Sequence, residues 1–383
     1  MSTRTEIEQG IEGLLTAPAY YLAPEQRQGA LLALLKGELA YACERNARIR
    51  NYVDHWPVDF RAADKLADLP FLPVGVFKLN PPLALVDANE VKRTLASSAT
   101  TGQVPSRVVL DAATARRMTK GVVNIIRDFI GPARRPYLVI DTPENMTARA
   151  ELGARAAAIQ GLGSFATTVV CCLRRDQQGE SSRVLETLLD CAARWKETEV
   201  LVYGFTHVIW TQLVQPLQRR GVTLGIPNVH VLYSGGWKRL QEQAVTKEAF
   251  IRGVASVLGC SADRIIDYYG MVENVGVVYP DCKYGNKHVP GFAEVIVRDP
   301  LTLTPVEVGR VGLVQVCSVL PTSFPGFLLL TEDLAELIGY DGCPCGRRGT
   351  QFRFAGRVPR AEVRGCGNVE TTRNRDLGWS IAA

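Results

Sequence analysis

The chain has 383 residues, of which 46% are hydrophobic and 22% charged, and its formal net charge is +5. Those totals fit a globular protein with enough apolar material for two or three domains. Basic and acidic residues are interspersed, which excludes the basic stripe of a nucleic-acid binder, and no apolar run is long enough to span a membrane.

The opening MSTRTEIEQGIEGLL lacks the long apolar core of a signal peptide, so a cytoplasmic location is expected. An N-terminal helical segment is expected over 1–70, with Glu25–Asn46 its clearest helix. The proline-marked DLPFLPVGVFKLNPP that follows favours extended or looped backbone. Strands and helices then alternate. YLVID (137–141) reads as a strand, Met146–Ile159 as a helix, and SFATTVVCCL as a second strand. Arg183–Lys196 is the next helix, EVLVYG (199–204) a third strand, and Thr206–Arg219 another helix. NVHVLY (228–233) is a fourth strand, and Thr246–Leu258 a helix with Thr246 as its cap. This alternation predicts a mainly parallel α/β region over 71–290. Beyond it, AEVIVRD, GLVQVCSV and GFLLLT predict an antiparallel sheet or small barrel over 291–358, leaving a short tail at 359–383.

SSATTGQVPS precedes the strand-like Arg107–Leu110 and places small hydroxyls beside Gly102. A lysine-bearing phosphate loop needs G-x-x-x-x-G-K-[ST], and this loop lacks it. Its hydroxyls could still bind phosphate oxygens, with Gly102 permitting close backbone approach; a solvated Ser/Thr turn is the plainer alternative. Three distant segments bear on that choice: DYYGMVENVG (267–276), LLLTEDLAEL (328–337) and FRFAGRVPR (352–360). An aromatic for a base, an acid for Mg²⁺, an acid for ribose and an arginine for charge make an ATP site.

In this order the segments resemble the adenylate-forming superfamily, whose motifs read roughly SSGTTGxPK, YGxTE, TGD and GR. The chain is more closely similar to the LuxE-type acyl-protein synthetases of the bacterial fatty-acid reductase complex. It carries that family's TTGQVPS, SGGWK, YGMVE, LLTED, CPCGR and RGC in sequence, from about residue 70 to 367. The resemblance implies an α/β adenylate-forming large-domain fold with parallel sheets plus a smaller antiparallel sheet or barrel.

It also implies roles. Ser98, Thr100, Thr101 and Gly102 would contact ATP phosphates, and Ser234, Gly235 and Gly236 would let backbone approach the nucleotide. Tyr269, with Gly270 beside it, would stack on adenine. Glu273 would hold Mg²⁺, a cation that prefers carboxylate and phosphate oxygen. Asp333 would accept hydrogen bonds from the ribose hydroxyls, and Arg357 would reach ribose or phosphate. His207 stands where such enzymes flank the acyl carboxylate, although a helix-start histidine is also a common structural feature. Two residues depart from the superfamily pattern: Ala99 replaces a glycine and Val272 a threonine. Only 26 residues follow Arg357 and no lysine follows Lys287, so the full C-terminal lid domain with its catalytic lysine is not expected. Lys238 is then the remaining candidate cation.

The chain has ten cysteines, and Cys171, Cys172, Cys191 and Cys317 lie in apolar runs that suggest core packing. Cys282, His288, Cys343 and Cys345 offer three thiolates and an imidazole, a complete tetrahedral zinc set of structural type. Free thiols and a surface histidine are the alternative. Cys366 lies between glycines, with Arg360 and Arg364 nearby to favour thiolate. In the similar synthetases a cysteine in this setting carries the acyl group; a plain surface thiol is the alternative.

The expected reaction is ATP-dependent activation of a fatty or aryl carboxylic acid as acyl-AMP, then transfer to a thiol. The acceptor could be Cys366, coenzyme A or a partner protein, such as an acyl-CoA reductase or a carrier protein. An acyl- or aryl-CoA ligase of secondary metabolism is the nearest rival, and a non-catalytic binding scaffold the rival from another class.

Overall fold

The computed structural model describes residues 4–97, 104–146, 151–173, 184–237 and 242–358. Its central sheet runs Val278–Pro280, Ile265–Gly270, Val229–Ser234, Val200–Phe205, Arg135–Val139, Ala166–Cys171 from edge to edge. All neighbours are parallel except the Val278–Pro280 edge, which pairs antiparallel with Ile265–Gly270. Because side chains alternate faces along a strand, Val200 and Val202 enter one buried cluster while Leu201 and Tyr203 enter another. The first cluster is filled by Leu188, Cys191 and Trp195 of helix Val184–Trp195 and by Phe250, Val254 and Val257 of helix Lys247–Leu258. Thr246 caps the second of these helices by accepting from Ala249 N at 3.2 Å, and Gly259 at φ +76° ends it.

An antiparallel sheet follows, ordered Lys287–His288, Thr350–Arg357, Leu328–Tyr340, Val311–Ser318, Ala293–Arg298. It has two edge strands and is an open sheet, which decides between the two forms expected from sequence. Leu72–Pro73, inside the proline-marked segment, joins Leu328–Tyr340 in parallel. A third, small sheet pairs Arg93–Ala96 with Arg107–Leu110 and with Glu151–Gly153. The N-terminal helices Arg4–Thr16, Pro24–Arg45 and Ala47–Asp54 share the second buried cluster, which extends from Ile7 to Phe352.

Three expectations need correction. The helix expected over Met146–Ile159 begins only at Ala154, because Glu151–Gly153 is drawn into the small sheet beside Arg93–Ala96. The helix at Thr206–Arg219 contains a π-helical stretch over Trp210–Val214. Pro216 has no N–H to donate four residues back, so the ladder widens ahead of it, and Thr211 Oγ1 donates to His207 O at 2.8 Å. The strand expected at GFLLLT continues to Tyr340.

Helix Ala112–Ile130 is started by Asp111, whose carboxylate accepts from Thr114 N at 2.7 Å. It carries Gly121 against the loop after Ile265–Gly270. A Cβ at Gly121 would lie 2.5 Å from Gly276 O, so only glycine lets helix and loop meet this closely. That contact supports the loop bearing Glu273 from below.

Candidate active site

The two large sheets meet at Tyr269. Its Oη donates to Asp333 Oδ2 at 2.7 Å, and Arg357 Nε donates to Asp333 Oδ1 at 2.6 Å. Asp333 is 3% exposed, while the Arg357 side chain is mostly open to solvent. Burial, then the adjoining Asp333 carboxylate, holds the Tyr269 phenol well above its ordinary range. The Tyr269 ring lies near-parallel to Tyr279 (centroids 5.8 Å, 22°) and to Phe354 (5.4 Å, 27°). Phe354 is itself 44% exposed, so this aromatic stack has an open end.

Glu273 is buried near the same point. Burial pushes its carboxyl up, against a hydrogen bond to Ser106 and the charge of Arg357, which both pull it down. Ser106 also closes the base of the hydroxyl-rich loop: Ser106 N donates to Ser97 Oγ at 2.9 Å, and Ser97 N donates to Ser106 O at 2.9 Å. Ser97 and Ser106, which flank that segment, are therefore bonded to each other beside Glu273. Ser98, Thr100, Thr101 and Gly102 lie outside the described residues.

A second group lies at the C-terminal ends of the parallel strands, where α/β sheets place their ligands. Thr206 Oγ1 donates to Ser234 O at 3.2 Å, and Ser234 Oγ and Tyr203 Oη are 3.2 Å apart. Gly235 has φ +77°, and a Cβ there would lie 2.8 Å from the Phe205 ring. Gly236 and Gly270 are exposed. His207 is half-buried, its ring 6.4 Å from that of Phe205. Arg155 stands over Phe205 at 5.6 Å and is ion-paired to the buried Asp141. Asp141 also accepts from Thr142 N at 2.6 Å and from Asn145 Nδ2 at 2.7 Å. Lys238 and Cys366 lie outside the described residues.

Cys282, His288, Cys343 and Cys345 converge, all four ligand atoms lying within 4.8 Å of one another. Cys282 Sγ is 3.7 Å from Cys343 Sγ, and Cys345 Sγ is 3.3 Å from His288 Nε2. Burial, then the charge of Arg347, lowers the His288 pKa to about 4, which leaves a neutral imidazole. Burial pushes the Cys282 thiol up to about 11.

The sequence reading missed Ser106, Arg155, Asp141 and Phe354. Ser106 is the last residue of the TTGQVPS motif, and Asp141 ends the strand-like YLVID, a position that favours ligand contact. Phe354 stands two residues ahead of the GR pair. Arg155 had no local signal, since it falls inside what reads as an unbroken helix.

The sequence profile of the family described as acyl-protein synthetase, LuxE, matches residues 4–373. The chain is 26% identical over 373 residues to the long-chain-fatty-acid–luciferin-component ligase of Vibrio harveyi, covering 96% of this chain and 93% of that protein. The ligase of the same name from Aliivibrio fischeri is 23% identical over 330 residues, covering 84% and 82%. Among solved structures, an open conformation of 2-hydroxyisobutyryl-CoA ligase with 2-HIB-AMP and CoA superposes with a TM-score of 0.67. It is 16% identical, with 88% of this chain and 76% of that chain covered, a likeness of fold that agrees with the expected adenylate-forming architecture. The six ordered motifs and the match over nearly the whole chain agree: the protein belongs to the LuxE acyl-protein synthetase family.

Proposed function

We infer that this protein is an ATP-dependent ligase that joins a carboxylic acid to AMP and then passes the acyl group to a thiol. The observation that carries this reading is the meeting of Tyr269, Asp333, Arg357 and Glu273 at the anchored base of the hydroxyl-rich loop. Adenine is placed at the open end of the Tyr269–Phe354 stack. Asp333 is a buried acceptor for ribose hydroxyls, and Arg357 holds it in place and adds positive charge. The loop hydroxyls and the backbone at Ser234-Gly235-Gly236 receive phosphate oxygens.

In the first step a carboxylate oxygen bonds to the α-phosphorus and pyrophosphate leaves. In the second, a thiolate attacks the acyl carbonyl and AMP leaves. Mg²⁺, when bound, neutralises charge on the phosphates, and Glu273 is the residue proposed to hold it. Arg155 and His207, both packed against Phe205, are the residues proposed to meet the acid carboxylate, and Lys238 is proposed as a further cation for the phosphates. A zinc ion in the Cys282, His288, Cys343 and Cys345 cluster completes the proposed cofactor set.

Long-chain fatty acids appear in the names of both relatives, which supports a fatty acid over an aryl acid as substrate. The proposed acceptor is Cys366, with onward transfer to a partner such as an acyl-CoA reductase or a carrier protein. Nine described cysteines are free, which fits a reducing, cytoplasmic setting.

The test is ATP–pyrophosphate exchange over a panel of fatty and aryl acids. Exchange that depends on a fatty acid and on Mg²⁺ supports the reading. Glu273→Ala should lower it at least ten-fold, about 1.4 kcal/mol of barrier. No exchange with any acid would leave a binding scaffold instead.

A further inference from the structure

We propose that zinc held by Cys282, His288, Cys343 and Cys345 is a clamp on the nucleotide site, fixing the Tyr269 side of that site to the Asp333 side. The clamp rests on the nucleotide reading given above; the metal site itself does not.

The separations suit the ion. Zinc lies about 2.3 Å from sulfur and about 2.0–2.1 Å from nitrogen, so tetrahedral ligands stand about 3.8 Å apart for two sulfurs and about 3.5 Å for sulfur and nitrogen. Two of the six pairs stand at 3.7 Å for Cys282–Cys343 and 3.3 Å for Cys345–His288, and all six lie within 4.8 Å, so small side-chain shifts would bring the set onto the ion. The two sulfurs are too far apart for a disulfide, whose S–S bond is about 2.05 Å.

The backbone is shaped for the same purpose on both sides. Gly285 N donates to Cys282 O at 2.8 Å, and Gly346 N donates to Cys343 O at 3.0 Å. Both glycines take positive φ, +74° and +86°. Two like turns, one ahead of Lys287–His288 and one ahead of Thr350–Arg357, thus each present a sulfur. Backbone N–H groups of Tyr284 and Asn286 face the Cys282 sulfur, and that of Arg347 faces Cys345. Such donors stabilise thiolate ligands in the way outer partners orient metal ligands generally. Four protein ligands close the coordination sphere, which marks a structural and not a catalytic ion.

The placement gives that structural ion its task. Cys282 stands two residues past Val278–Pro280, the strand whose Tyr279 flanks Tyr269. Cys343 and Cys345 lie in the connection between Leu328–Tyr340, which carries Asp333, and Thr350–Arg357, which carries Phe354 and Arg357. His288 pairs with Gln351 of that last strand. The ion would pin both halves of the nucleotide site at one point. Ser234 ends a central strand, Gly235 follows it and Arg155 lies in the helix Ala154–Gly161, with no ligand of the cluster among their neighbours in sequence.

Purified protein should hold about one zinc per chain by elemental analysis. After thiol-directed release of the metal, ATP affinity measured calorimetrically should fall roughly 10-fold to 100-fold, as a small misplacement of binding groups costs. Acid affinity and the far-ultraviolet circular dichroism should change little, and added Zn²⁺ should restore ATP binding. Co²⁺ in place of zinc should give the visible absorption of a tetrahedral, thiolate-ligated ion. Cys345→Ser, which removes the most exposed ligand, provides a second route to weakened metal binding. Protein without zinc, or without the Co²⁺ signature, overturns the metal site. A zinc-loaded protein whose ATP affinity survives metal release overturns the clamp. Loss of all secondary structure on release also overturns it, because the ion would then hold the whole fold. If the zinc-loaded protein binds no ATP, the nucleotide reading fails and takes the clamp with it, while the zinc measurement still stands.

Discussion

Tyr269 Oη donates to Asp333 Oδ2 at 2.7 Å, joining the last parallel strand of the central sheet to the longest strand of the antiparallel one. One hydrogen bond to a buried carboxylate thus links two sheets, each with its own register, at the proposed nucleotide site. Tyr269→Phe keeps the ring between Tyr279 and Phe354 and removes only the donor. A hydrogen bond to a charged group contributes about 1.5–3 kcal/mol, so the variant should weaken ATP binding by roughly ten-fold or more. Asp333→Ala removes the carboxylate and should cost more. Exchange rates against ATP concentration measure both, and an unchanged KM for ATP in Tyr269→Phe would show that the bond does not organise the site.

Arg155 is proposed to meet the acid. It is ion-paired to Asp141 and lies over Phe205 at 5.6 Å, beside the strand ends that carry Ser234 and Gly235. Without Arg155, Asp141 would still accept from Thr142 N and Asn145 Nδ2, so the fold should survive Arg155→Ala. Removing one charge-stabilising donor from a transition state typically costs on the order of 100-fold in rate. We expect that loss for Arg155→Ala with little change in KM for ATP, and partial recovery for Arg155→Lys. A rate equal to the unaltered protein would remove Arg155 from the reaction.

The sequence carried most of the site but little of its wiring. Motif residues come in order along the chain, so Tyr269, Glu273, Asp333 and Arg357 were legible before any fold was known. Their meeting depends on register: the Tyr269–Tyr279 pairing and the bulge between Leu334 and Ala335 turn the right side chains together, and neither has a local signature. Arg155 shows the same limit. Helical periodicity ran unbroken through Met146–Ile159, and the competing pull of Arg93–Ala96, more than fifty residues earlier, left no trace near Glu151. The Cys282, His288, Cys343 and Cys345 cluster was legible because it needs only the right residue types near glycine turns. Phe354 was missed because an aromatic in a strand reads as core until its 44% exposure is seen.

Glu38 offers a test of the fold itself. It is 2% exposed, and neither carboxylate oxygen has a hydrogen bond among the described residues. Burial raises its pKa well above the ordinary glutamate range, with the charge of Arg117 opposing. The folded chain therefore holds a proton that the unfolded chain releases, and folding should weaken as pH rises from the unfolded value, about 4.3, towards the raised one. Glu38→Gln carries no titrating proton there, so its stability relative to the unaltered protein should improve steadily over that rise. Denaturant midpoints compared across the range decide it. A gap between the two proteins that stays constant with pH would mean Glu38 is ionised in the fold.

Cys366 is the proposed acceptor thiol. It lies eight residues beyond Val358, the last described residue before it. At about 3.3–3.6 Å per extended residue, that span can reach at most roughly 30 Å, and Arg357 one residue earlier is already bound to Asp333. A thiol on such a tether can reach an acyl-AMP held at the same site, and Gly365 and Gly367 allow the chain to bend there. Thiolate attack is easy because AMP is a good leaving group. Labelled fatty acid and ATP should therefore leave a label on the protein that hydroxylamine or excess thiol removes. Cys366→Ser should keep pyrophosphate exchange, since adenylation does not use the thiol, and lose that label. If the unaltered protein takes up no label yet transfers acyl groups readily to coenzyme A, the acceptor is the free cofactor and the chain works as an acyl-CoA ligase.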